Sequence, residues 1–132
     1  MAHTRIRKFN TKDTYPEQNL DNDLCQVVVT EGGKIIWLRG QCPQNLDDAV
    51  NIASNDPAEQ AHKVMQNISQ LIKEAGGEMK HLVKMVVYIT DIKNREAVYR
   101  IIGQYTKGVH PVQTGLVVNE LARPEWLVEI DA

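Results

Sequence analysis

The residues best placed to do chemistry are one glutamate and one arginine, each set in an apolar stretch. Glu129 stands between Val128 and Ile130 in Leu127-Val128-Glu129-Ile130-Asp131, so in a strand it points to the side opposite both. A carboxylate held that way can orient and deprotonate a water when burial or a nearby guanidinium tunes its pKa. The plainer alternative is a solvent-facing glutamate on an edge strand. Arg39 ends the apolar run Ile35-Ile36-Trp37-Leu38 and precedes Gly40-Gln41-Cys42-Pro43. Arginine is rarely placed so unless it is paired or faces a cleft, where it can clamp an anion.

Other chemistries find little support. His3, His62, His81 and His110 are scattered without metal-ligand spacing, so no metal site is expected. His110, just before Pro111, reads by default as a loop histidine, with proton transfer as its sharper alternative. Cys25 and Cys42 form no Cys-x-x-Cys pair and read as free thiols of a reducing cytoplasm. Glu31-Gly32-Gly33-Lys34 lacks the spacing and following helix of a phosphate loop. No Gly-x-Ser-x-Gly or Cys/His nucleophile arrangement occurs.

The elements that must position these residues are legible from periodicity. Asp56 caps a helix with Pro57 at its first position and Glu59 where a capping box wants a carboxylate. Ala61, Val64, Met65, Ile68, Leu71, Ile72 and Ala75 follow at the spacing of one apolar helical face, and Gly76-Gly77 supplies a left-handed end. A shorter helix is expected from about Asn94 to Tyr105. Tyr99 and Tyr105 lie on different faces of it: Tyr105 reads as packing, Tyr99 as a cleft residue. Strands are expected at Ile6–Phe9, Cys25–Thr30, Ile35–Leu38, Val83–Ile89, Thr114–Val118 and Leu127–Ile130, with Glu31–Lys34 as a hairpin turn. This predicts one α+β domain over residues 1–132, a six-stranded mixed sheet with two helices on one face.

The runs Ile35–Leu38, Met85–Ile89 and Leu116–Val118 are nearly continuous in apolar residues, as in strands buried on both faces. Two helices cover one face only. A second copy of the chain is the expected cover for the other, and Trp37 is expected in that shared core.

At 132 residues, 42% hydrophobic and 24% charged, the chain has an ordinary globular composition. A net charge of −2, a pI near 6.1 and 5% aromatic residues argue against a nucleic-acid partner. No apolar run is long enough to span a bilayer, and Met1–Lys8 holds basic residues without the apolar stretch of a secretory signal. A cytoplasmic location is expected.

Several landmarks, in order over nearly the whole chain, resemble the Rid (YjgF-type) reactive-intermediate deaminase family. They are Cys25-Gln26-Val27, Gly40-Gln41-Cys42-Pro43, Gln60-Ala61 with Asn67, Ala75-Gly76-Gly77, Val87-Tyr88-Ile89-Thr90-Asp91, His110-Pro111 and Val128-Glu129-Ile130-Asp131. The resemblance implies a chorismate-mutase-like fold and a homotrimer with an inner barrel. It also implies active sites in intersubunit clefts and cofactor-free hydrolysis of enamines or imines, and a few residues beyond Ala132. Other family members are described as ribonucleases or translation inhibitors.

By the same resemblance, the water-activating glutamate falls on Glu129, while the arginine that pairs with a substrate carboxylate falls on Gln113. A neutral amide cannot replace that charged fork. The family's pocket positions fall on Leu24 (an aromatic), Gly115 (a cysteine), Tyr99 (an asparagine) and Arg39 (a serine). Arg39 is therefore expected to carry the contact to a carboxylate-bearing small molecule from another wall, with Gln113 and Thr114 adding neutral hydrogen bonds and Trp126 rimming the cleft or packing between subunits. The sequence thus points to a hydrolytic deaminase, with 2-aminomuconate-like intermediates possible substrates. The alternative is a non-catalytic trimer that binds a small metabolite, and a ribonuclease fits less well.

Overall fold

The computed structural model describes residues 3–132. Strand β1 (Thr4–Asn10) leads through the single-turn helix α1 (Thr11–Thr14) to strand β2 (Asp23–Val29). Helix α2 (Pro57–Glu74) follows, then β3 (Lys84–Ile89), helix α3 (Arg95–Tyr105), β4 (Val112–Val117) and β5 (Val128–Asp131). Short 3-10 turns occupy Pro16–Gln18, Met79–His81 and Ile92–Asn94.

Helix α2 starts and stops for local reasons. The Asp56 carboxylate accepts the Glu59 N–H, and Pro57 needs no N–H partner there. The expected capping box is opened into a relay, because the Glu59 carboxylate takes the Ser54 hydroxyl while that hydroxyl accepts the Asp56 N–H. At the other end Gly76, at φ 91°, sends its N–H to Lys73 C=O and lets Gly77 N–H reach Ile72 C=O. Such a left-handed ending favours glycine.

The apolar stripe of α2 (Ala61, Val64, Met65, Ile68, Ile72) meets Val98, Ile101 and Ile102 of α3 and the inward rows of β3 and β5. Met85, Val87, Val128 and Ile130 are fully buried there. Truncating one such side chain to alanine removes on the order of 2–5 kcal/mol.

The sheet departs from expectation. Five strands form two ladders: β1 antiparallel to β2, and β4-β3-β5 with β3 parallel to β4 and antiparallel to β5. The expected strand Ile35–Leu38 joins no ladder. Gly32 and Gly33 do turn left-handed, at φ 66° and 72°, but β2 is engaged on both edges. One edge pairs with β1, and on the other Cys25 N–H donates to Pro111 C=O at 3.1 Å. The segment stays extended and alternates: Ile36 and Leu38 are half-buried, Ile35 and Trp37 are exposed, Trp37 by 84%. Its apolar continuity therefore marks an outward side that this chain does not cover. Ile6 and Val27, opposite each other on β1 and β2, and Leu116 on β4 are exposed as well.

A polar network ties β1 and β2 to the loop before β4. Asp23 is buried, yet its carboxyl lies below the usual range. Burial acts against this, and the Gly108 N–H, the Asn10 amide, Lys107 and His110 outweigh it. His110 itself adopts φ 57°, with Nε2 3.8 Å from Asp23.

A carboxyl whose folded pKa is depressed binds fewer protons than in the unfolded chain, so its contribution is present above the unfolded value and lost as pH falls through the folded one. Urea midpoints should therefore drop as pH falls below about 4. In Asp23→Asn that acid slope should flatten, with a lower midpoint at neutral pH.

Candidate active site

Two buried amides on one side of α2, Gln60 and Asn67, fix the loops that bracket Glu129. Gln60 Nε2 donates to Ser54 C=O at 3.0 Å and Glu125 C=O at 2.9 Å, and its Oε1 accepts Leu127 N–H at 2.8 Å. Seven residues on, two helical turns away, Asn67 Nδ2 donates to Gln44 C=O at 2.8 Å and Cys42 C=O at 3.4 Å. The first amide sets the entry to β5 and the second sets the 42–44 loop.

Strand β5 is then held on both edges. Tyr88 of β3 is the register partner of Glu129. On the other edge Gln41 and Ile130 exchange both backbone hydrogen bonds, at 2.8 and 3.0 Å. In that antiparallel register the residue after Gln41 faces the residue before Ile130, so Cys42 lies across from Glu129. Val128 and Ile130 point to the helices, and Glu129 points away, half-buried. Its carboxylate passes directly over the α-carbon of Gly40, where any Cβ would collide with Oε2. Glycine is required there by close approach.

Glu129 lines an open cleft of about 420 Å³ with Gly40, Tyr88, Val118, Glu120, Leu121 and Asp131. Arg39, the residue before Gly40, is exposed and is not among the residues lining this cleft. Cys42 is buried, and burial together with the Glu129 carboxylate pushes its thiol up to about 12, with Arg39 pulling the other way. Charge from both Glu129 and Arg39 therefore reaches the same thiol.

The other sequence-derived candidates lie elsewhere in the chain. Gln113 and Gly115 of β4 pair with Met85 and Val87, the helix-facing residues of β3, whereas Glu129 pairs with outward-facing Tyr88. Within one chain they occupy opposite faces of the sheet. Tyr99, buried in α3, sets its hydroxyl against Gly115, where a Cβ would overlap it, and Arg95 stacks over the Tyr99 ring at 4.4 Å. Gln113 Oε1 is buried without a hydrogen-bond partner. Thr114 shares the Glu129 face, but two strands away, about 10 Å.

Leu24 is half-buried on β2. Trp126 is buried over a separate cleft of about 340 Å³ with Pro43, Asn51 and Gln60, its Nε1 donating to Asn51 at 2.9 Å. His110 sits over Asp23. Among the described residues no cluster of His, Cys, Asp or Glu could hold a metal ion.

Sequence reasoning missed Tyr88, Cys42 and Arg95 as neighbours of these groups. The pairing of Cys42 with Glu129 depends on a single bridge between residues far apart in sequence.

The fit of Tyr99 to Gly115 is testable by stability. Gly115→Ala should lower the urea midpoint by an amount equivalent to about 1–3 kcal/mol. Tyr99→Phe in the same chain should recover part of that loss.

The pattern defining the Endoribonuclease L-PSP family matches residues 21–132. Protein DfrA of Myxococcus xanthus is 32% identical over 108 residues, covering 81% of this chain and 80% of DfrA. A RutC family protein of Pyrococcus abyssi is 27% identical over 100 residues, 76% of this chain and 77% of the relative. In fold, the chain is similar to YyfB of Yersinia pestis, a protein of unknown function in the conserved Rid family, with a TM-score of 0.77 at 23% identity over 99% of this chain and 96% of YyfB. It is also similar to RidA of an Antarctic Psychrobacter, with a TM-score of 0.65 at 21% identity over 77% and 80%. The chain belongs to the Endoribonuclease L-PSP family, the Rid/YjgF-type proteins, and has their α+β fold.

Proposed function

We propose that the protein is a cytoplasmic hydrolytic deaminase of a reactive enamine or imine, acting without metal or cofactor in clefts between the subunits of a homotrimer. The observation that carries this reading is Glu129, half-buried on a cleft wall and held against Gly40. In the reaction, Glu129 takes a proton from water as its oxygen bonds the iminium carbon. That proton passes to nitrogen; as the C–N bond breaks, Glu129 takes the carbinol hydroxyl proton, the ketone and ammonia leave, and Glu129 releases the proton to solvent.

The carboxylates of Glu120, Glu129 and Asp131 suit a cationic iminium. Arg39 supplies a contact for a substrate carboxylate, replacing the charge that Gln113 lacks. The same acidic wall repels a phosphodiester backbone, which weighs against RNA as substrate.

The exposed apolar residues Ile35, Trp37, Val27 and Leu116 support a second copy of the chain as their cover. The opposite facing of Glu129 and Gln113 supports a cleft in which one chain's Glu129 adjoins another chain's Gln113. A second reading, a trimer that binds a metabolite without chemistry, is favoured by Gln113 alone.

The test is steady-state ammonia release from 2-iminopropanoate generated in situ and from 2-aminomuconate. Wild type should turn over at least one of them, and Glu129→Ala should lower kcat/KM by about 10²–10⁴-fold. Arg39→Ala should raise KM, and no change there would eliminate Arg39 as the anchor. Silence on both substrates from a folded oligomer would favour the binding module. Light scattering should report three chains per particle in wild type and fewer in Trp37→Glu.

A further inference from the structure

The proposed reaction leaves unused the buried group that faces Glu129 most directly, the thiol of Cys42. We propose that Cys42 is a positioning residue for Glu129: its S–H donates to the carboxylate, holding that group fixed over Gly40. The inference rests on the reading of Glu129 as base, and adds a residue that acts through it.

The backbone on both sides of the thiol is immobilised. Gln41 exchanges two hydrogen bonds with Ile130, and the Cys42 carbonyl accepts from Gln44 N–H at 2.8 Å and from the Asn67 amide. Cys42 is 8% exposed, so water does not compete well for the thiol. The groups around Glu129 are Tyr88 on β3, Glu120 in the loop after β4 and Asp131 on its own strand, which share its cleft, with Cys42 across from it next to the Gln41 bridge and the charge of Arg39 acting on that thiol. Cys42 can donate at neutral pH, because burial and the Glu129 charge keep its thiol protonated. A thiol is a weak donor, and its effect should be a modest one.

The first test requires no substrate. The S–H stretching band of the whole protein is recorded in the infrared for wild type and Glu129→Ala, with Cys25→Ala assigning the two thiols. The Cys42 band should lie at the lower wavenumber in wild type and rise in Glu129→Ala. An identical band in both overturns the proposal, whether or not the protein proves to be a deaminase.

The second test uses the reaction. Cys42→Ala should lower kcat roughly three- to tenfold with KM unchanged. The acid limb of its pH profile should move to higher pH, because losing a donor to the charged form raises a carboxylate pKa. Cys42→Ser should restore both. A lower kcat with an unmoved acid limb would mean that Cys42 only packs, and would overturn the proposal. If Cys42→Ala fails to fold, the infrared comparison still decides.

Discussion

The alternation of β5 is the constraint on which the rest of this molecule depends. Val128 and Ile130 are wholly buried against the helices, so a slip of one residue would expose both and send Glu129 into the core. Burial of two aliphatic side chains is worth several kcal/mol, and an unpaired core carboxylate would add a penalty of similar size. Hydrophobic packing thus fixes the direction of the Glu129 carboxylate. The same register aligns Tyr88 on one edge and the Gln41 bridge on the other.

Polar groups refine what packing sets. Gln60 and Asn67 lie on the buried side of α2, where an unsatisfied amide costs about 1–3 kcal/mol. Each satisfies itself on loop carbonyls near the site. The helix that supplies most of the core is therefore also the jig for both approaches to Glu129. Gly40 completes the arrangement by removing the one side-chain atom that would push the carboxylate aside.

Much of this was legible in the residues. The caps of α2, the periods of both long helices and most strands follow from local chemistry, and Glu129's facing follows from the aliphatic residues beside it. What failed was the hairpin after β2. The Gly32-Gly33 turn has the expected left-handed backbone, but whether a strand then pairs depends on which edge of β2 is free, and that is set by Pro111, more than eighty residues away. For the same reason the apolar run Ile35–Leu38 was read as buried on both faces, when periodicity cannot distinguish a covered strand from one awaiting a partner. The separation of Gln113 from Glu129 was hidden likewise, because it depends on the registers of β4 and β5 against a shared neighbour.

That unpaired segment links assembly to the site. Residues 34–40 present unladdered backbone and the exposed side chains of Ile35 and Trp37, an edge that folded proteins normally cover. The segment runs straight into Gly40, Gln41 and Cys42, which hold Glu129 in place. In the isolated chain it is anchored at its far end by one bridge to Ile130 and along its inner side by Ile36 and Leu38. Covering Trp37 with a second copy would remove the freedom of the same few residues on which the carboxylate rests. A neighbouring subunit would then do more than close the wall opposite Glu129. It would also stiffen the floor beneath it, so that oligomerisation and the position of the Glu129 carboxylate would be coupled through a single extended segment.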